Sequence, residues 1–322
     1  MKQLFKSVIF MMLLMITVSG CQSASKEQNN QKQTQSQSAE PYLKIKDFDG
    51  NIVTLQVKPK NIVVLKDEVL HSFYQVGGKA VGRTNAFTID PPEEAKNVPK
   101  VGYMHEVNIE KVLELKPDLV IGQRFTHGEL RDTFEKAGIA FINLNTQSID
   151  DIKNNTLLMG KITGHEKKAE SLIKAMDSRI SQIISQVPKK KKEPSFAIMT
   201  IMGDAVFVEQ GPTISVDIAK QLKLKNITES LEGEVMAGYI PFSMEAMVKL
   251  DPDYLFILSH TTDEDAKKMV ENKFKSNPAW NSLSAVSDDK IYFLPKNKFV
   301  MAPGVKVVDS FQYMKDIVYS KE

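Results

Sequence analysis

Histidine is the residue in this sequence best suited to hold a metal ion at neutral pH, and only five occur: His71, His105, His127, His165 and His260. A neutral imidazole offers one ring-nitrogen lone pair, and an ordinary pKa of about 6.5 lets the surroundings decide whether that lone pair is free. Two of the five stand where chemistry is expected. His105 lies in the loop before the helical phrase Asn108-Ile109-Glu110, and His260 follows the strand-like run from Tyr254 to Leu258. Ligands of open parallel sheets bind outside the carboxyl ends of the strands, so both histidines are expected to face a cleft. His71, in a mixed helical segment, and His165, beside Gly164 and among Glu166, Lys167 and Lys168, read as structural. The sequence around His127 assigns it no role. His105-Glu106 and His165-Glu166 each lack the second histidine of H-E-x-x-H, and neither G-x-x-x-x-G-K-[ST] nor G-x-S-x-G is present. No catalytic residue is assigned, and binding is the simpler expectation than catalysis.

The elements that must position these residues follow from length and patterning. The chain has 322 residues, 42% of them hydrophobic and 25% charged, which fits two globular units. Residues 1–20 combine Lys2 and Lys6 with an apolar run from Val8 to Val18 and small residues Ser19 and Gly20, a secretory signal too short for a membrane-spanning helix. Val18-Ser19-Gly20-Cys21 resembles the lipobox of bacterial lipoproteins, in which the cysteine is diacylated; Cys21 is also the only cysteine, so no intramolecular disulfide can form. Residues 21–40 are the lipidated cysteine and a polar tether unable to bury a core. Lysine plus arginine is 42 and aspartate plus glutamate 40, so loss of Lys2 and Lys6 leaves 40 against 40. That neutrality gives no reason to expect a nucleic-acid partner.

From Tyr42 to Leu55 the alternation around Asp49-Gly50-Asn51 predicts a hairpin. Strands are expected at Asn61–Leu65, Leu119–Gly122 and 139–143, with helices over Asp67–Val76 and 129–137 and a long helical stretch over about 149–187. The phrase Val107 to Leu115, Lys116-Pro117-Asp118 and an apolar strand returns as Phe242 to Leu250, Asp251-Pro252-Asp253 and Tyr254 to Ile257, with Glu245 in the place of Glu110. The repeat predicts an α/β fold of two lobes with mainly parallel central sheets: one over 41–164 and one over 189–322, joined by one long rigid helix over 165–188. The second lobe opens on the strand Ser195–Met202 and closes on a helix from Val305 to Tyr319.

With its acylated cysteine, polar tether, paired helix-Pro-Asp-strand phrases and the ordered motifs Pro99–Gly102, Asn108-Ile109-Glu110 and Lys116-Pro117-Asp118, the chain resembles the substrate-binding lipoproteins of iron-siderophore, cobalamin and heme importers over about residues 41–320. The resemblance implies a periplasmic-binding-protein-like fold of the siderophore and heme type. It also implies a monomer anchored through Cys21 at the extracellular face of the cytoplasmic membrane, delivering its ligand to the subunits of an ABC permease. Glu110 and Glu245 would dock into basic pockets of those subunits.

Within that family, two neutral imidazoles on opposite sides of a cleft suit heme, because each can ligate the iron along its axis. The surroundings of His105 and His260 resemble most closely the heme-binding lipoproteins of Gram-positive heme importers, in which an axial ligand precedes the Asn-x-Glu helix and a histidine follows the second-lobe strand. The first ligand falls on His105, with Met104 as the alternative since a thioether also binds heme iron. Tyr239 is expected in the cleft, and Arg83, Arg124 and Lys66 are candidates for the propionates. A siderophore saturates its own iron and needs no histidines; its receptors use arginine, tyrosine and tryptophan, and the single tryptophan, Trp280, reads as a packed helix start. A siderophore or cobalamin receptor of the same fold is the alternative, and a cell-surface enzyme the more distant one.

Overall fold

The computed structural model describes residues 40–86, 89–189, 191–233, 235, 237–300 and 304–319. The signal, Cys21 and nearly all of the tether lie outside the described residues. The body opens on the expected hairpin, β1 (Leu43–Lys46) and β2 (Ile52–Leu55), paired antiparallel about Asp49 and Gly50. A four-stranded sheet follows, made of β3 (Ile62–Val64), β4 (Gly82–Arg83), β7 (Leu119–Gln123) and β8 (Ala140–Leu144) in the order β4-β3-β7-β8, all parallel. Between β4 and β7 the chain forms a two-stranded hairpin, β5 (Gly102–Tyr103) and β6 (Glu106–Val107). Helices α1 (Asp67–Gln75), α2 (Ile109–Glu114), α3 (Arg124–His127) and α4 (Arg131–Lys136) flank these strands.

The second sheet runs β12-β10-β9-β13-β14, with β11 (Lys225–Asn226) on the side of β9. Its members are β9 (Ser195–Met202), β10 (Ala205–Glu209), β12 (Tyr239–Pro241), β13 (Tyr254–Ser259) and β14 (Ile291–Leu294). Strands β9, β11, β13 and β14 are parallel, while β10 and β12 add an antiparallel edge absent from the sequence expectation. Two sheets with mainly parallel strands bear out the predicted fold class. The long helical stretch is broken: α5 (Ile149–Thr163) stops at Gly164, which takes a left-handed φ of 69°, and α6 (Glu166–Ser185) continues alone between the sheets in sequence. No helix among the described residues is long and apolar enough to cross a membrane.

Contacts beyond α6 tie the two halves together. Ile149 and Ile152 of α5 pack into the core of the second sheet with Ile214, Phe256 and Phe311. The Ile149 N–H donates to Asp217 (2.8 Å), and the Val305 N–H donates to Gln75 (3.2 Å). The repeated phrase has a repeated physical role. Helix α2 is capped by Asn108, and α7 (Met244–Leu250) by Ser243. Each helix is followed by a residue at positive φ before the proline, Lys116 at 45° and Asp251 at 44°. The aspartate after the proline then accepts the backbone N–H groups that open the neighbouring strand: Asp118 from Lys60 (2.6 Å) and Asn61 (2.9 Å), Asp253 from Ser195 (2.7 Å). The Pro-Asp pair thus ends one helix and anchors the strand beside the next.

Candidate functional site

A cleft of about 310 Å³ opens where the carboxyl ends of β7, β9 and β13 converge, within the usual range for small-molecule sites. Lys66, Met104, His105 and Phe125 form one wall, and Met202, Tyr239 and His260 the other. Both histidines read from the sequence as cleft residues are there.

Met104 and His105 are the two turn residues of the β5–β6 hairpin, in which Tyr103 pairs with Glu106. Gly102 makes that hairpin possible. Its φ is 107°, and a Cβ there would come within 2.8 Å of the Asn108 nitrogen and closer still to the Glu106 carbonyl, so only glycine fits. Met104 is buried while His105 is exposed at the cleft edge. Beneath them lies His127, wholly buried. Its Nδ1 accepts from the Gln123 N–H (3.0 Å), which leaves Nε2 as the protonated nitrogen that donates to the Met104 carbonyl (2.8 Å). Burial, together with the charges of Lys66 and His105, brings its pKa down to about 4, so it is a fixed neutral bracket between the end of β7 and the β5–β6 turn. No sequence signal marks it, since its partners are two backbone groups, one 23 residues away. Replacing His127 by phenylalanine is expected to orphan both groups at about 1–3 kcal/mol each. The variant should unfold at lower denaturant concentration and exchange the Gln123 amide proton faster.

His260 extends the β13 ladder by one bond, its N–H donating to the Ile201 carbonyl (3.0 Å). Its side chain is half-buried, and Nε2 is enclosed in the cleft with no hydrogen-bond partner among the described residues. Burial first, then the charges of Lys66, His105 and Lys296, brings its pKa down to about 4. The imidazole is therefore neutral at physiological pH, with the free lone pair that metal coordination requires. A buried ring nitrogen lacking a partner is costly unless a ligand completes it. His260, His105 and the Met104 thioether line one cleft and are the side chains there that could donate a lone pair to a metal.

Lys66 reaches the cleft with Nζ 3.2 Å from Met104 Sδ and 3.2 Å from Glu68 Oε1. Tyr239 lines the opposite wall; burial foremost, then its cross-strand partner Glu209, pushes the phenol pKa up, so it offers a neutral hydroxyl rather than an iron-binding phenolate. Glu209 itself is wholly buried behind that wall, accepting from Thr200 (2.6 Å), Thr213 (2.5 Å) and Ser215.

One of the two arginines departs from expectation. Arg83 is buried, and its guanidinium is consumed by the carbonyls of Ala95 (2.9 Å), Thr84 (2.8 Å) and Lys96 (3.1 Å), so it braces a loop instead of meeting propionates. Arg124 lies beside the cleft wall, stacked on Phe48 (4.6 Å) and Phe125 (5.0 Å) and facing Asp49 (3.5 Å). Trp280 packs on Phe274 at 5.0 Å inside a capped turn, away from the cleft, as the sequence reading has it. Glu110 and Glu245 are both exposed in the first turn of their helices. Glu68 and Phe125 were invisible in the sequence as site residues; only their place in the cleft lining reveals them.

Residues 62–298 match the sequence profile described as periplasmic binding protein. The chain belongs to this family. Among relatives of this periplasmic binding protein is the uncharacterized ABC transporter substrate-binding lipoprotein YvrC of Bacillus subtilis, 28% identical over 317 residues that cover 96% of this chain and 95% of YvrC. The high-affinity heme uptake system protein IsdE of Staphylococcus aureus is 23% identical over 71% of this chain and 77% of its own length. The crystal structure of IsdE complexed with heme superposes with a TM-score of 0.71 over 80% of this chain and 98% of that one. The triscatecholate siderophore binding protein FeuA of Bacillus subtilis, complexed with ferri-bacillibactin, superposes with a TM-score of 0.69 over 86% and 98%, at 21% identity. The fold is thus the one shared by heme- and siderophore-binding proteins, and at these identities the structural likeness carries no ligand with it.

Proposed function

We propose that this protein is the substrate-binding component of an ABC importer of the heme and siderophore type, and that its ligand is heme. The observation that carries the ligand is the His260 Nε2, neutral, enclosed and unpartnered in a cleft whose facing wall bears Met104 and His105. An iron porphyrin supplies what that nitrogen lacks, an open axial position on the metal. Its carboxylates find cations in Lys66 and Lys296, the two lysines whose charge reaches His260. Such a protein performs no reaction: it binds, withdraws the ligand from water and hands it on. It acts as a monomer, with lobes over 41–164 and 189–322 either side of the helix at 165–188. Acylation of Cys21 holds it at the extracellular face of the cytoplasmic membrane beside the permease subunits, a reading supported by its similarity to the substrate-binding lipoprotein YvrC.

Titrating the purified body with hemin tests the reading. A saturable, stoichiometric complex with a low-spin spectrum is expected. Absence of any protein-ligated spectrum removes heme and favours an anionic iron chelate, for which the cations Lys66, Lys296 and Arg124 would still serve.

A further inference from the structure

The wall opposite His260 carries two donors, and Lys66 distinguishes them. Its ammonium stands 3.2 Å from the Met104 sulfur and 3.2 Å from a Glu68 carboxylate oxygen, with both lysine and glutamate side chains about nine-tenths covered. One sulfur lone pair is thereby engaged, and a full positive charge sits beside the donor, where it opposes the approach of a second cation. Among the described residues His105 has no such attendant, and it is exposed at the cleft edge. A hydrogen bond from an ammonium to a thioether is weak, whereas one to a carboxylate is charge-assisted and shorter. A ligand carboxylate entering the cleft therefore competes well for Lys66, and Glu68 can follow its partner because its second oxygen is buried without a partner of its own.

Resting on the heme reading, we propose that Lys66 is a specificity-determining gate on Met104: a porphyrin carboxylate draws the ammonium from the sulfur, and the freed thioether becomes the iron ligand opposite His260. The Lys66–Met104 bond breaks, a Lys66–carboxylate ion pair forms, and sulfur donates to iron. A porphyrin without carboxylates leaves Lys66 in place, and the iron takes His105 or stays five-coordinate. Carboxylate recognition and metal ligation are thus coupled through one side chain, which makes the cleft selective for acidic metalloporphyrins.

The test compares hemin with its dimethyl ester in the wild-type protein, in Lys66→Leu and in Lys66→Arg, reading the near-infrared thioether-to-iron band and the affinity. The wild type is expected to show the band with hemin and not with the ester, and to prefer hemin by roughly tenfold or more. Lys66→Leu should show the band with both and lose most of that preference, while Lys66→Arg, which keeps the charge, should behave as wild type. In the ligand-free protein labelled at methionine methyls, the Met104 resonance should move in Lys66→Leu and stay near its place in Lys66→Arg, a reading that needs no iron. A wild-type thioether band with the ester, or an unmoved Met104 methyl in Lys66→Leu, overturns the gate alone. Failure of the wild type to bind hemin overturns the ligand reading and the gate with it.

Discussion

Hemin bound to the His260→Ala variant is expected to give a high-spin, five-coordinate spectrum where the wild-type protein should give a low-spin one, and to bind on the order of a hundredfold more weakly. Loss of a group that merely orients a metal ligand costs about 10- to 100-fold, so loss of the ligand itself sits at or beyond the upper end. Replacing His71, whose ring nitrogen lies 2.9 Å from the Asp90 carbonyl, or His165 leaves the spectrum unchanged. The pH dependence identifies the same residue. Protons compete with iron for Nε2, but the His260 pKa is brought down from 6.5 to about 4 by burial and by the charges of Lys66, His105 and Lys296. Binding should stay flat as pH falls through the ordinary histidine range and collapse only near pH 4. Loss already complete at pH 6 would show an ordinary solvated imidazole and sink the assignment. Linkage acts on stability in the same direction. His260 and His127 both have folded pKa values near 4 against 6.5. The unfolded chain therefore binds more protons in that window, and the stability present above pH 6.5 is lost as pH falls towards 4. Melting curves recorded across this range measure it.

Reversing Glu110 and Glu245 to lysine together should reduce uptake of the ligand by cells on the order of tenfold or more, with affinity in solution unchanged. Both are exposed at the second position of helices that begin the two copies of the repeated phrase. Neither lines the cleft, so the bound ligand does not sense them. Their substitution weakens the favourable interaction of an acidic first turn with the helix dipole by only about 0.3–1 kcal/mol each, too little to unfold the protein. Placed against basic pockets of a permease, the same reversal sets like charges together at a cost of several kcal/mol. Single reversals should have intermediate effects. Wild-type uptake by the double variant would mean that the glutamates serve only their own helices.

The repeated phrase illustrates how far local sequence reaches. The helix period from Val107 to Leu115, the proline that stops it and the apolar strand after it are all local properties, and they recur from Phe242 to Ile257. The β9 strand appears over Ser195–Met202 as its apolar run predicts, and the hairpin around Asp49-Gly50 forms as its alternation predicts. The edge strands β10 and β12 were missed because their runs are short, and β12 ends at Pro241. The long helical stretch divides at Gly164, where the expected connecting helix over 165–188 begins, and the positive φ of that glycine separates α5 from α6.

What the sequence by itself determined is therefore the α/β order with its repeated phrase, and the placing of His105 in the loop before α2 and of His260 just after β13. These rest on periodicity and punctuation within a few residues of one another. Only the tertiary structure decided what each polar side chain near the cleft is for. Arg83 was a plausible carboxylate partner until three carbonyls claimed its guanidinium, and His127 was unremarkable until its ring bridged Gln123 and Met104. Lys66 was one of three candidate cations for the propionates until it stood against a sulfur 38 residues away. The physical reason is common to all three: a hydrogen bond or a pKa depends on what lies within a few ångströms across the fold, and that neighbour is set by packing between segments far apart in the chain.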